Sequence, residues 1–458
     1  MPNKLINFRW DMLIVFFLII YPILNNQYAL WDGVILNYAI ETNNRLIIST
    51  MFLEAGAPLV AGLHYAIYEL SNFSGVSGKS VYSFLIAGIS FLLYFEFVRI
   101  LSFSFKISNS KRVLISILFV ALPFWSSFLS DIYINYLICI YLTFLSVNLL
   151  LREKFLLALF FGVFAIALKV NIYFHLILFL FIFLVRNYDF RKLTWQYYIV
   201  YLSLVAFFVL REIFLVPSGQ YVGYNGFSLD RIVSFFLDTQ VYSKLFFIIP
   251  LAAAFAFSII RMQLLVFLVL SVGLVGIFYL ADKINYVSIL ELRSVRSVHP
   301  YDLRTDITFH LYVLVLSSAF ILSVNSRLKN ALVVLILFLV FLPQKYFADM
   351  RMARMINEIE SVYEFFEVNR DLYLGKEGLM YTEIEGISVG NYHLYKIFGN
   401  SKIITSKALG TSYQDRICVD STALIYRQKG ICEGFTRWDT LLKPKIIYGE
   451  YDYMDLWK

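Results

Sequence analysis

Residues 132–150 read IYINYLICIYLTFLSVNLL, an uncharged run with Asp131 before it and Arg152 just after it. A helix of this length rises about 30 Å, the thickness of a bilayer's hydrocarbon core. Similar runs recur on both sides of it. Toward the N-terminus they fall near 12–29, 81–101 and 113–129. Toward the C-terminus they fall near 155–170, 171–185, 196–215, 243–260, 263–281, 308–325 and 330–347. Together they make about eleven spans. The first has no convincing small-residue cleavage site, so it reads as a retained helix and not as a removed signal peptide.

Composition agrees. The chain is 60% apolar and 18% aromatic, with only 16% charged residues, whereas soluble domains carry about 25% charge. Mean hydropathy is +0.71. A soluble enzyme, a disordered chain and a nucleic-acid binder are all disfavoured, and a polytopic α-helical membrane protein is expected. The net charge of +7 belongs to topology, because Lys and Arg gather in alternate short loops. These are Lys4 and Arg9; Lys106, Lys111 and Arg112; Arg152 and Lys154; Arg186, Arg191 and Lys192; Arg261; and Arg327 and Lys329. The alternation predicts a cytoplasmic N-terminus and an extracytoplasmic C-terminus.

Two stretches test the count. Residues 46–70 are interrupted by Glu54, Gly56, Pro58 and His64. As a span they would reverse the Lys106–Arg112 loop. Residues 33–70 are therefore read as extracytoplasmic helices lying on or dipping into the membrane. Splitting 155–185 into two short spans keeps Arg186 and its neighbours inside. Residues 1–348 form the membrane module, with a long first outer loop at 30–80. From Asp349 onward, an amphipathic run gives way to short β-type runs at Leu379–Tyr381, Lys402–Thr405 and Leu424–Tyr426. Residues 349–458 thus read as a small extracytoplasmic α/β domain. Cys418 and Cys432, with thirteen residues between them, are expected to form a disulfide in an oxidising compartment.

No soluble-enzyme motif is present. The polar residues of interest lie on the outer side. Asp32, in Trp31-Asp32-Gly33, stands between the first span and a helix. It reads either as a helix N-cap or as a general base at the membrane surface. Asp131 has the same two readings. Glu41 and Glu54 are further acids of the first loop. Loop 282–307 carries Arg293, Arg296, His299 and Arg304, against the positive-inside tendency. Guanidinium groups there suit a lipid-linked phosphate. The alternatives are lipid headgroups or ion pairs with Asp302 and Asp306. Lys169 and His175 lie at membrane depth, where ionisable groups face protein or a water-filled cavity. Lys169 either neutralises a phosphate reached from the bilayer or snorkels to the surface. His64 reads as packing.

Asp32, the amphipathic run from Val34 to Glu41, and Gly56-Ala57-Pro58-Leu59 before a second helix resemble the first outer loop of GT-C-type membrane glycosyltransferases. These use sugars carried on polyprenyl phosphate. The general plan of spans and trailing domain is similar to that of bacterial O-antigen serotype-converting glucosyltransferases. The resemblance implies a bacterial inner-membrane hexosyltransferase with a periplasmic C-terminal domain. It would move a sugar from a polyprenyl-phosphate donor to a lipopolysaccharide glycan or lipid. It also implies catalytic roles for Asp32 and Asp131, and donor-phosphate binding by Arg293, Arg296, Arg304 and Lys169. Asp32 is followed by Gly33 and Val34 instead of a second acid, so a divalent cation stays an open alternative and no other cofactor is expected. Two other readings stand beside it. A polysaccharide polymerase would show a large outer loop late in the chain, and a lipid-linked glycan transporter would show inverted repeats.

Overall fold

The computed structural model describes residues 9–30, 33–41, 43–168 and 194–218, scattered positions at 175–179 and 311–357, and five short strands between 379 and 447. The described region is helical apart from those strands. Its elements are α1 (Trp10–Asn25), α2 (Gly33–Glu41), α3 (Arg45–Glu54), α4 (Pro58–Ser74), α5 (Gly78–Ser104) and α6 (Asn109–Ala121). Two 3₁₀ turns follow, Pro123–Leu129 and Asp131–Tyr133, then α7 (Ile134–Leu151), α8 (Phe155–Leu168) and α9 (Trp195–Phe214).

Among the described residues, Gly78–Phe103 and Asp131–Leu151 are long and apolar enough to cross a membrane. Helix α6 with the turn after it makes a third candidate, bent by 60°. Helices α1 and α8 and most of α9 are apolar but shorter. Leu156 and Phe214 are 85% and 75% exposed, and similar side chains on α1, α8 and α9 leave apolar faces open. Faces of that kind suit a lipid environment better than water. The expected spans at 171–185, 308–325 and 330–347 are described only at scattered helical positions. Those at 243–260 and 263–281 lie outside the described residues.

The expected span at 113–129 is bent within its length. Proline disfavours the helical conformation of the residue before it, and Leu122, ahead of Pro123, sits at ψ 128°. Pro123 also has no N–H for the Phe119 carbonyl four residues back. The Trp125 indole supplies the missing donor, with Nε1 2.7 Å from Phe119 O. Around this break the core is aromatic. Phe119 meets Tyr94 at 5.2 Å and Trp125 at 5.0 Å between ring centroids.

Residues 33–74 form three helices where helices were expected over 33–70, although the chain at 31–32 and 42 is outside the described set. Pro58 opens α4, and Gly75, at φ +66°, closes it in a left-handed cap. Ser77 then caps α5, its hydroxyl accepting from Ser80 N at 3.3 Å. Helix α2 crosses that N-terminus closely. A Cβ on Gly78 would stand 2.6 Å from Ile40 Cδ1 and 3.0 Å from Asn37 Oδ1.

Helices α7, α8 and α9 pack side by side. A Cβ on Gly162 of α8 would meet Leu204 at 2.9 Å and Ser146 Oγ at 3.1 Å, a small-residue contact of the kind that lets membrane helices approach. At one end of the bundle Asp11 pairs with Arg9 at 2.8 Å and accepts from Tyr94 Oη at 2.9 Å. Nearby on α5, Glu96 pairs with Arg99 at 2.5 Å and accepts from Asn148 Nδ2 at 2.5 Å.

The strands β1 (Leu379–Tyr381), β2 (Ile404–Thr405), β3 (Ile417–Val419), β4 (Leu424–Tyr426) and β5 (Lys445–Ile447) make two small sheets. In the first, β1 lies between parallel β2 and antiparallel β5; in the second, β3 pairs antiparallel with β4. The β-type runs read from the sequence coincide with β1 and β4, and the run at Lys402–Thr405 contains β2.

Candidate functional site

Three pieces of chain converge on the first turn of α5: the end of α1, the start of α2, and the turn Leu129-Ser130-Asp131 that opens α7. Short polar side chains tie them together. Ser130 Oγ donates to Leu30 O at 2.6 Å, and Asn26 Nδ2 donates to Leu129 O at 2.9 Å. Gly33 begins α2 directly against the turn. A Cβ there would lie 3.0 Å from Asp131 N and 3.3 Å from Ser130 Oγ, so a side chain would crowd the turn.

Asp131 is the centre of the junction. It is fully buried. One carboxylate oxygen accepts from Lys79 Nζ at 2.8 Å and the other from Asn37 Nδ2 at 2.6 Å. Asn37 also donates to Gly33 O at 2.8 Å, and Lys79 Nζ reaches Leu129 O at 3.4 Å. Removing one partner of such a buried pair costs about 3–5 kcal/mol, because the remaining charge is stranded. The pair also answers a local conflict. Lys79 occupies the first turn of α5, the positive end of the helix dipole, where a cation is unfavourable. Asp131 supplies the offsetting charge.

Beside the pair lies a polar cavity of about 540 Å³, lined by Asn26, Gln27, Lys79, Ser80 and Ser83 together with Leu24, Ser77 and Phe84. A larger and mainly apolar cavity of about 1130 Å³ lies between α1, the 3₁₀ turn after α6, and helical positions from 342 to 356. Phe17, Tyr21, Trp125, Tyr346 and Met352 line it, and Asn26 and Gln27 border both cavities. Its polar edge holds Asp349, which accepts from Ser126 Oγ at 2.5 Å and pairs with Lys345 at 2.6 Å.

The residues singled out in the sequence fall in different places. Asp32, Lys169, Arg293, Arg296, His299, Arg304 and Cys432 lie outside the described residues. Cys418 is described only as backbone of β3. Glu41 and Glu54 end α2 and α3, half-buried, and line neither cavity. The backbone carbonyl of Glu54 accepts from Ser218 N at 2.7 Å.

His175 is buried between helices. Its Nε2 lies 2.8 Å from Ser146 Oγ, and its ring meets Tyr201 edge-on at 5.6 Å. Ser146 already donates to Ala158 O at 2.6 Å, so it accepts from His175, which fixes the proton on Nε2. His64 is the packing residue expected. It stacks on Phe52 at 4.5 Å and bonds Tyr82 Oη through Nδ1 at 2.7 Å.

Sequence reasoning missed Lys79, Asn37, Asn26 and Ser83. Lys79 did leave a signal, a lysine at the N-terminal end of a long apolar helix, where it opposes the dipole. Among the described residues no group of three or more His, Cys, Asp or Glu is arranged to hold a metal ion. Compared with protein-family models, curated proteins and solved structures, the chain matches none.

Proposed function

We propose that the protein is a GT-C-like membrane glycosyltransferase. It moves a sugar from a polyprenyl-phosphate donor to a cell-surface glycan or lipid at the extracytoplasmic end of about eleven spans. The observation that carries this reading is the junction at Asp131. A buried acid and lysine organise the start of the first loop beside a polar cavity that borders a large apolar one. A donor that is both lipid and phosphate needs both kinds of surface side by side.

In this reaction the acceptor hydroxyl attacks the anomeric carbon while the bond from that carbon to the phosphate oxygen breaks. The lipid phosphate leaves with the bonding electrons. Asp32 takes the hydroxyl proton. It is the chain neighbour of Gly33, which touches the Asp131 turn. Asp131 keeps its ion pair and holds the junction in place. Arg293, Arg296, Arg304 and Lys169 offset the charge on the departing phosphate. Residues 349–458 form the extracytoplasmic α/β domain.

The test uses membranes carrying the full chain, a polyprenyl-phosphate sugar and the host's surface glycan, with mass spectrometry of the product. Asp32→Asn keeps the N-capping capacity of the site and removes the base, so turnover should fall by about 10²–10⁴-fold. Wild-type turnover in Asp32→Asn would overturn its role. Absence of any sugar transfer by the wild-type chain would overturn the enzyme reading.

A further inference from the structure

We infer that the polar cavity at the N-terminal turn of α5 is a binding site for a phosphate group, with Lys79 and Ser83 among its ligands. The inference rests on the transferase reading only for what the phosphate is attached to.

The cavity's lining is rich in donors. Lys79 offers an ammonium, Ser80 and Ser83 offer hydroxyls, and Asn26 and Gln27 offer amides. Among the described residues no carboxylate lines it. Asp131 lies behind Lys79 and holds it through one N–H, at 2.8 Å. With a second N–H toward Leu129 O at 3.4 Å, the third N–H of the ammonium is left for a ligand. The cavity also sits at the start of a helix of 27 residues, where the helix dipole favours an anion.

An independent observation points the same way. Ser83, one helical turn beyond Lys79, is 4% exposed and lines the cavity, yet its Oγ has no hydrogen-bond partner. Buried hydroxyls are almost always paired. A phosphate oxygen in the cavity would accept from it. Asn26 and Gln27 border the apolar cavity as well, so a phosphate seated here can carry an isoprenoid chain into that space.

The experiment measures binding, not turnover. The full-length protein in lipid nanodiscs is titrated with an isoprenyl monophosphate and, separately, with inorganic phosphate, and compared with Ser83→Ala. That variant removes an unpartnered hydroxyl and leaves the Lys79–Asp131 pair intact, so it should fold. A charge-assisted hydrogen bond lost to Ala should weaken isoprenyl phosphate about tenfold. Binding of the isoprenyl phosphate alone supports a lipid phosphate, and binding of both supports a free phosphate as well. No binding of either by the wild-type protein, or equal affinity in Ser83→Ala, overturns the site. Because the readout is affinity, phosphate binding by a wild-type chain that shows no sugar transfer counts only against the transferase reading. Transfer that persists without the Ser83 effect counts only against this site.

Discussion

A buried lysine or a buried carboxylate is costly alone, and Lys79 and Asp131 solve that cost for each other at a separation of 52 residues along the chain. Asp131 stood out in the sequence as an acid in a short outer turn just ahead of an apolar run, where either a helix cap or a catalytic acid would sit. Its partner did not, because local spacing carries no information about a contact between two helices. His64 shows the same limit from the other side: its packing role was legible, its electrostatics were not. Burial against Phe52 and Tyr82 pulls its pKa down to about 3 from 6.5. The folded chain therefore refuses a proton that the unfolded chain accepts. This contribution to stability is complete above the unfolded value near 6.5 and declines as pH falls from there toward 3. The slope is about 1.4 kcal/mol per pH unit. Melting of the detergent-solubilised protein between pH 7 and pH 4.5 should thus be steeper in the wild type than in His64→Gln. Parallel curves would refute the assignment.

The bend in the segment at 109–129 is what composition did not show. Apolar content extends straight through Leu122 and Pro123, so the run reads as one span. Backbone chemistry adds the bend, since Pro123 withholds a donor and forces Leu122 out of the helix. The fold recovers the lost hydrogen bond through Trp125 Nε1, and the kink turns the chain toward Ser130 and Asp131. Trp125→Phe keeps most of the bulk and removes the donor. Leaving the buried Phe119 carbonyl unpaired costs about 1–3 kcal/mol, so the melting temperature should fall measurably. An unchanged melting temperature would mean that the indole bond does not hold the bend. Helix α5, by contrast, was legible along most of its length, because an uncharged run from Ser80 to Phe95 follows a Ser77 cap and a Gly75 stop.

Lys79 and Glu96 sit near opposite ends of α5, about 25 Å apart by helical rise. The Glu96 end gathers Arg99 and Arg152 around Asn148, and the Lys79 end gathers Asp131, Asn37 and Asn26. By the positive-inside tendency the first should face the cytoplasm. Topology reporters inserted at residue 108 and at residue 400 should then report opposite sides of the membrane. If both report the cytoplasm, the orientation fails, and the site with it. Length and composition of apolar runs were enough to call for a helical membrane protein, because burying backbone in lipid requires helices whose side chains are apolar over a bilayer's thickness. Strand runs after Asp349 were readable for a similar reason: β-propensity and turn residues act locally. The Asp131–Lys79–Asn37 junction, the unpaired Ser83 hydroxyl and the two adjoining cavities were not readable. They arise where α1, α2, α5 and the Leu129–Asp131 turn cross, and such crossings are set by the packing of distant segments, which no single stretch of sequence encodes.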